Sequence, residues 1–551
     1  MRFVTKWYKT VAIAFATISL SGAVVANCCE QSVNNIHEKI SDNPDDFTTD
    51  GPYVFYKKKM VIVRSVERKS NGLLVAKKEI YNSKKDVPSL ICKVDDESKA
   101  SFKIKLHSDY AVPPSVYPES KKIFAIADIE GNFNAFATTL QGNGIINKNF
   151  KWTYGDGHLV LVGDFFDRGN NVTEVLWLIY ELERQAAHKG GMVHFIIGNH
   201  EAMNFRGDDR YVKAKYFKVA SAFKTKYISL YASNTELGKW LRSKNVIEKI
   251  GKTLFTHGGL SPQLAKLHLQ LEEINKIARE NYGKPVWKIE QNGGTAKSIY
   301  SMIGPMWYRG YFSGNLQTQE VKAVLNLYSA KAVVVGHTVV PNVSNIFENK
   351  VFAIDVKHCT ALENGTSNAL LIENNEYYAV NARGYRSTVY PMLTKNEVLK
   401  VFTAIRENNM EDVKQFLING NSINKYYSSK QYTLLHYAIK NNQPLVVELL
   451  LENGANIEQT FETQTPLMYA IKMQHLEIAF ILIHHGANVN TLNVSQETAL
   501  FYCAKYGDLE ILKFLIANGA NLQIKNAKGR TAIDYALKHD NKAIAKYLKS
   551  L

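Results

Sequence analysis

Five short apolar runs, each ending in a cluster of polar residues, constrain this chain more than any other feature. Ile123–Ala127 runs into Asp128-Ile129-Glu130-Gly131-Asn132, and Leu159–Val162 into Gly163-Asp164-Phe165-Phe166-Asp167-Arg168-Gly169. His194–Ile197 leads to Gly198-Asn199-His200-Glu201, Thr253–Thr256 to His257-Gly258-Gly259, and Ala332–Val335 to Gly336-His337-Thr338. Apolar runs this short, bounded by turn formers, read as buried strands. Strands that carry polar residues at their C-terminal ends are how open α/β sheets build ligand sites. The pattern predicts an α/β catalytic region over residues 119–393.

The residue types at these ends suit one kind of chemistry. Aspartates, an Asn amide and imidazoles are the oxygen and nitrogen donors that a pair of divalent ions takes. Two such ions about 3.5–4 Å apart can activate a bridging hydroxide for in-line attack on phosphorus. Arginine supplies a bidentate grip on phosphate oxygens.

Gly163–Gly169 reads GDxxDRG and Gly198–Glu201 reads GNHE, with HGG and GHT following in order. This set resembles the phosphoprotein phosphatase branch of the metallophosphoesterases. Gly304–Tyr311 (GPMWYRGY) and Arg206–Val212 (RGDDRYV) are similar to its Shewanella-like phosphatase subgroup. The resemblance covers about half of the chain. It implies a calcineurin-like αββα sandwich holding two divalent metal ions, manganese first, with iron, magnesium or zinc as alternatives. By this resemblance Asp128 binds the first metal, Asp164 bridges both, and Asn199, His257 and His337 bind the second. His200 would protonate the leaving-group oxygen, oriented by Asp167. Arg168 would hold the phosphoryl group, joined by Arg309. The implied reaction is phosphomonoester hydrolysis, with a phosphoprotein as the first choice of substrate. Phosphoserine, phosphothreonine and phosphotyrosine are not told apart by these motifs, and a small phosphorylated metabolite or a dinucleotide polyphosphate is an alternative.

One position departs from the family pattern. Its first motif is GDxHG, with His as a ligand of the first metal; here Glu130 stands in that place. Ligation by the Glu130 carboxylate would make a harder site, favouring Mn²⁺, Mg²⁺ or Fe over Zn²⁺. Loss of the first metal would leave a phosphate-binding scaffold without turnover. The remaining motif residues are intact, which favours ligation. His194, His358, His436, His484 and His485 fit no ligand spacing and read as core, surface or repeat residues. Asp355, after the strand-like Val351–Ile354, reads as a turn residue.

From about residue 400 the chain repeats itself. Thr433-Leu434-Leu435-His436, Thr465-Pro466-Leu467-Met468, Thr498-Ala499-Leu500-Phe501 and Thr531-Ala532-Ile533-Asp534 recur every 32 or 33 residues, and Gly454, Gly486 and Gly519 keep the same period. The period and the Thr-Pro-Leu-like starts resemble ankyrin repeats, implying an all-α solenoid over 394–551. Glu411–Asn424 looks like a degenerate first unit, giving about four and a half repeats in all. Such a stack suits a protein partner.

Residues 1–26 read as a signal peptide. Arg2, Lys6 and Lys9 precede the apolar Val11–Leu20, with small residues at Val24-Val25-Ala26. Export to a periplasm or the exterior is expected, with lipid anchoring at Cys28 as a minor alternative and no membrane span in the mature chain. Residues 27–118 comprise a polar leader and short β-type runs, such as Tyr53–Tyr56 and Met60–Val63, that predict a small antiparallel element. Its expected role is packing, with Pro113, Pro114 and Pro118 marking a hinge. The 551 residues carry a net charge of +16. By count the excess is +5 over 1–118, +8 over 119–397 and +3 over 398–551, so no basic block marks a nucleic-acid site.

Overall fold

In a computed structural model of the chain, the structure describes residues 47–392, 395–418, 423–424, 432–461 and 463–551. The expected signal peptide and most of the polar leader lie outside the described residues. The five apolar runs form the strands Lys122–Ile126, His158–Leu161, Met192–Phe195, Thr253–Thr256 and Ala332–Val335. The chain groups into two units. Of the described residues, one comprises 47–117, Asp128–Glu248 and Leu269–Trp307; the other comprises Pro118–Ala127, Lys249–His268 and those from Tyr308 onward.

In the first unit His158–Leu161 and Met192–Phe195 pair in parallel. The helix Val172–Ala187 is buried along most of its length, and it carries Thr173, Glu174 and Glu181 into the interior together with its apolar residues. The β-type runs near the N-terminus form a three-stranded antiparallel sheet, Thr49–Lys57, Met60–Arg68 and Leu74–Tyr81, followed by the hairpin Leu90–Lys93 with Ser101–Ile104. This sheet is built into the unit. Pro52 O accepts from Trp177 Nε1 at 2.7 Å, Phe223 O accepts from Arg64 at 2.8 Å, and Lys215 Nζ lies 2.7 Å from the buried Asp50 carboxylate. Asn245 Nδ2 donates to both Pro113 O and Pro114 O at 3.1 Å.

In the second unit Thr253–Thr256, Ala332–Val335 and Val351–Ala353 run parallel, with Ser344–Ile346 antiparallel at the edge. Ser367–Glu373 lies antiparallel to both Glu376–Asn381 and Lys122–Ile126. Asp355 is buried just beyond Val351–Ala353, and its carbonyl accepts Val340 N–H at 2.7 Å.

The repeats follow as helix pairs: Lys395–Arg406 with Met410–Ile418, Leu434–Lys440 with Pro444–Glu452, Pro466–Lys472 with Leu476–His484, Ala499–Tyr506 with Leu509–Ala517, and Ala532–Lys538 with Lys542–Lys549. The periodic Thr residues start these helices: the Oγ1 of Thr433, Thr465 and Thr531 accepts the N–H three residues on. Successive loops are laced together. Asn490 donates to Gly519 O at 2.9 Å and accepts Asn521 N–H at 2.8 Å; Glu458 takes Asn488 N–H at 2.7 Å. The first pair begins with Lys395–Arg406, ahead of the degenerate unit read from the sequence. No helix among the described residues is long and apolar enough to cross a membrane.

Candidate active site

The ends of the first two strands are tied to each other backbone to backbone. Asp128 N–H donates to Gly163 O at 2.9 Å, Glu130 N–H to Asp164 O at 3.0 Å, and Gly131 N–H to Phe165 O at 3.1 Å. The turns are sharp: Asp128, Glu130, Asp164, Asp167 and Arg168 all have positive φ, between 49° and 69°. Non-glycine residues are held there only when the surroundings over-determine them. Glu201 does much of this. Its buried carboxylate accepts the N–H groups of Asp164 (3.0 Å), Phe165 (2.8 Å), Phe166 (3.3 Å) and Gly198 (2.8 Å). Gly198 is the only residue that fits, because a Cβ would sit 2.3 Å from Asp164 Oδ1. Gly169 is held for the same reason, with Glu130 O 2.2 Å from its Cβ position.

Asn199 and His200 open the helix Asn199–Arg206, and both are buried. His200 N–H donates to Asp164 Oδ1 at 2.9 Å, and its Nδ1 lies 2.6 Å from Asp167 Oδ2. Asp167 Oδ1 in turn accepts Asn204 Nδ2 at 3.0 Å, and Asn204 Oδ1 accepts the hydroxyl of Tyr227. This chain fixes the Asp167 carboxylate and leaves His200 Nε2 facing the Asp164 carboxylate, 3.7 Å from its Oδ2. Burial opposes a charged imidazole, but the carboxylates of Asp164 and Asp167, with Glu130 adding to them, outweigh it and raise His200 to about 9. Arg168 is half-exposed; its backbone N–H donates to Tyr211 O at 3.0 Å and its guanidinium pairs with Glu130.

In the second unit, His257 and His337 follow their strands and are buried, with ring centroids 5.0 Å apart. Gly336 N–H donates to His257 O at 2.9 Å, which joins the two strand ends. Arg309 donates to Thr338 Oγ1 at 3.2 Å and lies 3.4 Å from His337 Nδ1. The sequence-predicted residues therefore gather as Asp128, Glu130, Asp164, Asp167, Arg168, Asn199 and His200 in one unit and His257, His337 and Arg309 in the other. Asn204, Tyr227 and the clamp role of Glu201 are not read from spacing. The GNHE motif is the signal available for Glu201; Asn204 has none. Two of the other histidines have partners inside the fold: His194 Nδ1 lies 2.7 Å from Glu248, and His358 Nε2 2.8 Å from Ala127 O.

A calcineurin-like phosphoesterase family model matches residues 121–341, and ankyrin-repeat models match 401–493 and 500–548. Fold and site thus define a metal-dependent phosphoesterase with an ankyrin-repeat tail. Shewanella-like protein phosphatase 1 of Plasmodium berghei is 30% identical over 266 residues, covering 46% of this chain and 71% of the relative. An uncharacterised protein of Schizosaccharomyces pombe is 31% identical over 283 residues, covering 48% of this chain and 82% of the relative. The crystal structure of a cold-active protein-tyrosine phosphatase from a psychrophilic Shewanella species matches with a TM-score of 0.56 at 34% identity, over 62% of this chain and 99% of that one. The chain belongs to the Shewanella-like protein phosphatase family of calcineurin-like phosphoesterases, and it is a phosphoric monoester hydrolase. Its family implies divalent metal ions. In the first unit the carboxylates of Asp128 and Asp164 and the amide of Asn199 are buried, and in the second the imidazoles of His257 and His337 are buried; these are oxygen and nitrogen donors of the kinds divalent ions take.

Proposed function

We propose that this chain removes phosphate from phosphoproteins with two divalent ions, manganese foremost, and that the ankyrin repeats hold it on a protein partner. Asp128, Asp164, Asn199, His257 and His337 are the proposed ligands, with Glu130 in the place of the family's histidine. When bound, the ions would supply Lewis-acid activation of water and of phosphoryl oxygens. Arg168 and Arg309 bind phosphoryl oxygens. Arg168 first leaves its pairing with Glu130, which frees that carboxylate as a ligand. As the ester P–O bond breaks, His200 gives the proton on Nε2 to the departing oxygen and is reprotonated from solvent. Asp167, held by Asn204, keeps the Nδ1 side of the imidazole occupied. The observation that carries this reading is the 2.6 Å contact between His200 Nδ1 and Asp167, which leaves Nε2 on the side of Asp164, the proposed bridging residue, to act as the acid.

The names of the relatives support a protein substrate, and the cold-active relative supports phosphotyrosine in particular. The test is a panel of phosphotyrosine, phosphoserine and phosphothreonine peptides, run against small phosphorylated metabolites with added Mn²⁺. Selective turnover of peptides is expected; faster turnover of metabolites would overturn the protein-substrate assignment. Export is also proposed, on residues 1–26, and is tested by N-terminal sequencing of the mature chain.

A further inference from the structure

The segment Arg206–Val212 contributes no group to the chemistry above, yet its loop is built to present one side chain. The helix Asn199–Arg206 stops at Gly207, whose φ is 81°. Asp208 N–H then donates back to Met203 O at 3.0 Å, and the Asp208 carboxylate takes both Arg210 Nε (2.8 Å) and Nη2 (2.9 Å). A turn closes from Val212 N–H to Asp209 O at 3.1 Å. Held this way, Tyr211 offers its carbonyl to the Arg168 N–H and is itself 44% exposed. That ring has its centroid 5.1 Å from the His200 imidazole, and the Arg168 guanidinium lies 5.3 Å from the ring centre. Arg210 covers it at 5.8 Å.

We propose that Tyr211 is a specificity-determining residue: its ring forms the wall against which an aromatic leaving group packs, so the site prefers aryl phosphoesters such as phosphotyrosine. This rests on the phosphatase reading above, with His200 as acid and Arg168 on the phosphoryl group. Those two groups address the leaving oxygen and the phosphorus of one ester, and both are in contact with the Tyr211 ring. A leaving group attached between them therefore meets this ring first. A phenyl ring there gains an aromatic pair contact that a serine or threonine side chain cannot make.

The experiment compares kcat/KM for a phosphotyrosine and a phosphoserine peptide of identical flanking sequence, using the full chain with Mn²⁺. Tyr211→Ala and Tyr211→Leu are tested beside Tyr211→Phe; all keep the main-chain carbonyl that anchors Arg168. An aromatic pair contact converts to about threefold to tenfold in kcat/KM. The Ala and Leu variants should lose that factor on the phosphotyrosine peptide beyond any loss on the phosphoserine peptide, and Phe should retain the wild-type ratio. Equal losses on both peptides, or an unchanged ratio in Ala and Leu, would overturn the proposal. Wild-type inactivity on both peptides and on p-nitrophenyl phosphate would instead overturn the phosphatase reading beneath it.

Discussion

The Glu201 carboxylate accepts the backbone N–H of Asp164 at 3.0 Å, so the residue proposed to bridge the metals is positioned by the motif's own acid. Four N–H groups converge on that carboxylate. Glu201→Ala leaves them buried without an acceptor, at a cost of about 1–3 kcal/mol for each group that cannot rehydrate. The expected result is a lowered unfolding midpoint together with loss of turnover. Glu201→Gln, which keeps one acceptor oxygen but turns a donor toward other donors, should fall between. A midpoint unchanged in Glu201→Ala would show that the loop holds itself.

Asp50 and Lys215 form the second such tie, from the N-terminal sheet to the loop after Arg168. Lys215 Nζ lies 2.7 Å from Asp50 Oδ2 and donates to Asn170 O at 2.6 Å, while burial raises the neighbouring Glu174 carboxyl. Removing one partner of a buried pair strands the other and costs about 3–5 kcal/mol. Asp50→Ala and Lys215→Met should each destabilise by that order in urea unfolding, and the double variant by clearly less than the sum. Additive losses would mean that the two residues are not coupled.

The depth to which the site could be read follows from how local its parts are. The strand ends were legible because each ligand-type residue directly follows an apolar run, as Asp164 follows Leu159–Val162. The periodic Thr residues were legible because a helix N-cap and its third residue are neighbours in sequence. Asp50 and Lys215 were not, since no pattern pairs residues that far apart. The N-terminal runs therefore read as a small packing element, and their tie to the Asn170 carbonyl did not show. Asn204 was silent because a buried amide inside a helix looks like any other. Lys395–Arg406 lies inside the 394–551 repeat region but was not assigned to a unit, because it precedes the first recognisable Thr-initiated one.

His200 should reveal itself through the leaving group. An alkoxide needs a proton far more than a phenolate, so His200→Ala should slow alkyl phosphates by about 10²–10⁴-fold and aryl phosphates by much less. The protonated acid is present below its pKa, which the local carboxylates raise to about 9, and is lost above it. The alkaline fall in rate should thus be steeper for alkyl than for aryl substrates. A cation bound beside Asp164 moves that limb to lower pH. Equal losses on both substrates would remove His200 from the acid role.

Buried neutral histidines predict acid lability. Burial lowers His358 and His436 to about 4, against about 6.5 unfolded. Their folded-state values are depressed, so the stability they favour is present above about 6.5 and is lost as pH falls toward 4. Each should contribute a loss of about 1 kcal/mol per pH unit across that window. Urea midpoints measured at pH 7, 6 and 5 should fall steadily, and His436→Gln should flatten the decline in the repeats. A flat profile would contradict the assignment.

The most direct measurement is turnover of p-nitrophenyl phosphate by chain stripped with a chelator and then given Mn²⁺, beside Asp164→Asn treated identically. Restored turnover in the wild type and none in Asp164→Asn is the predicted result. Equal activity in the two proteins, or none in the wild type with Mn²⁺, Mg²⁺, Fe²⁺ or Zn²⁺, would contradict a metal-dependent phosphatase built on Asp164.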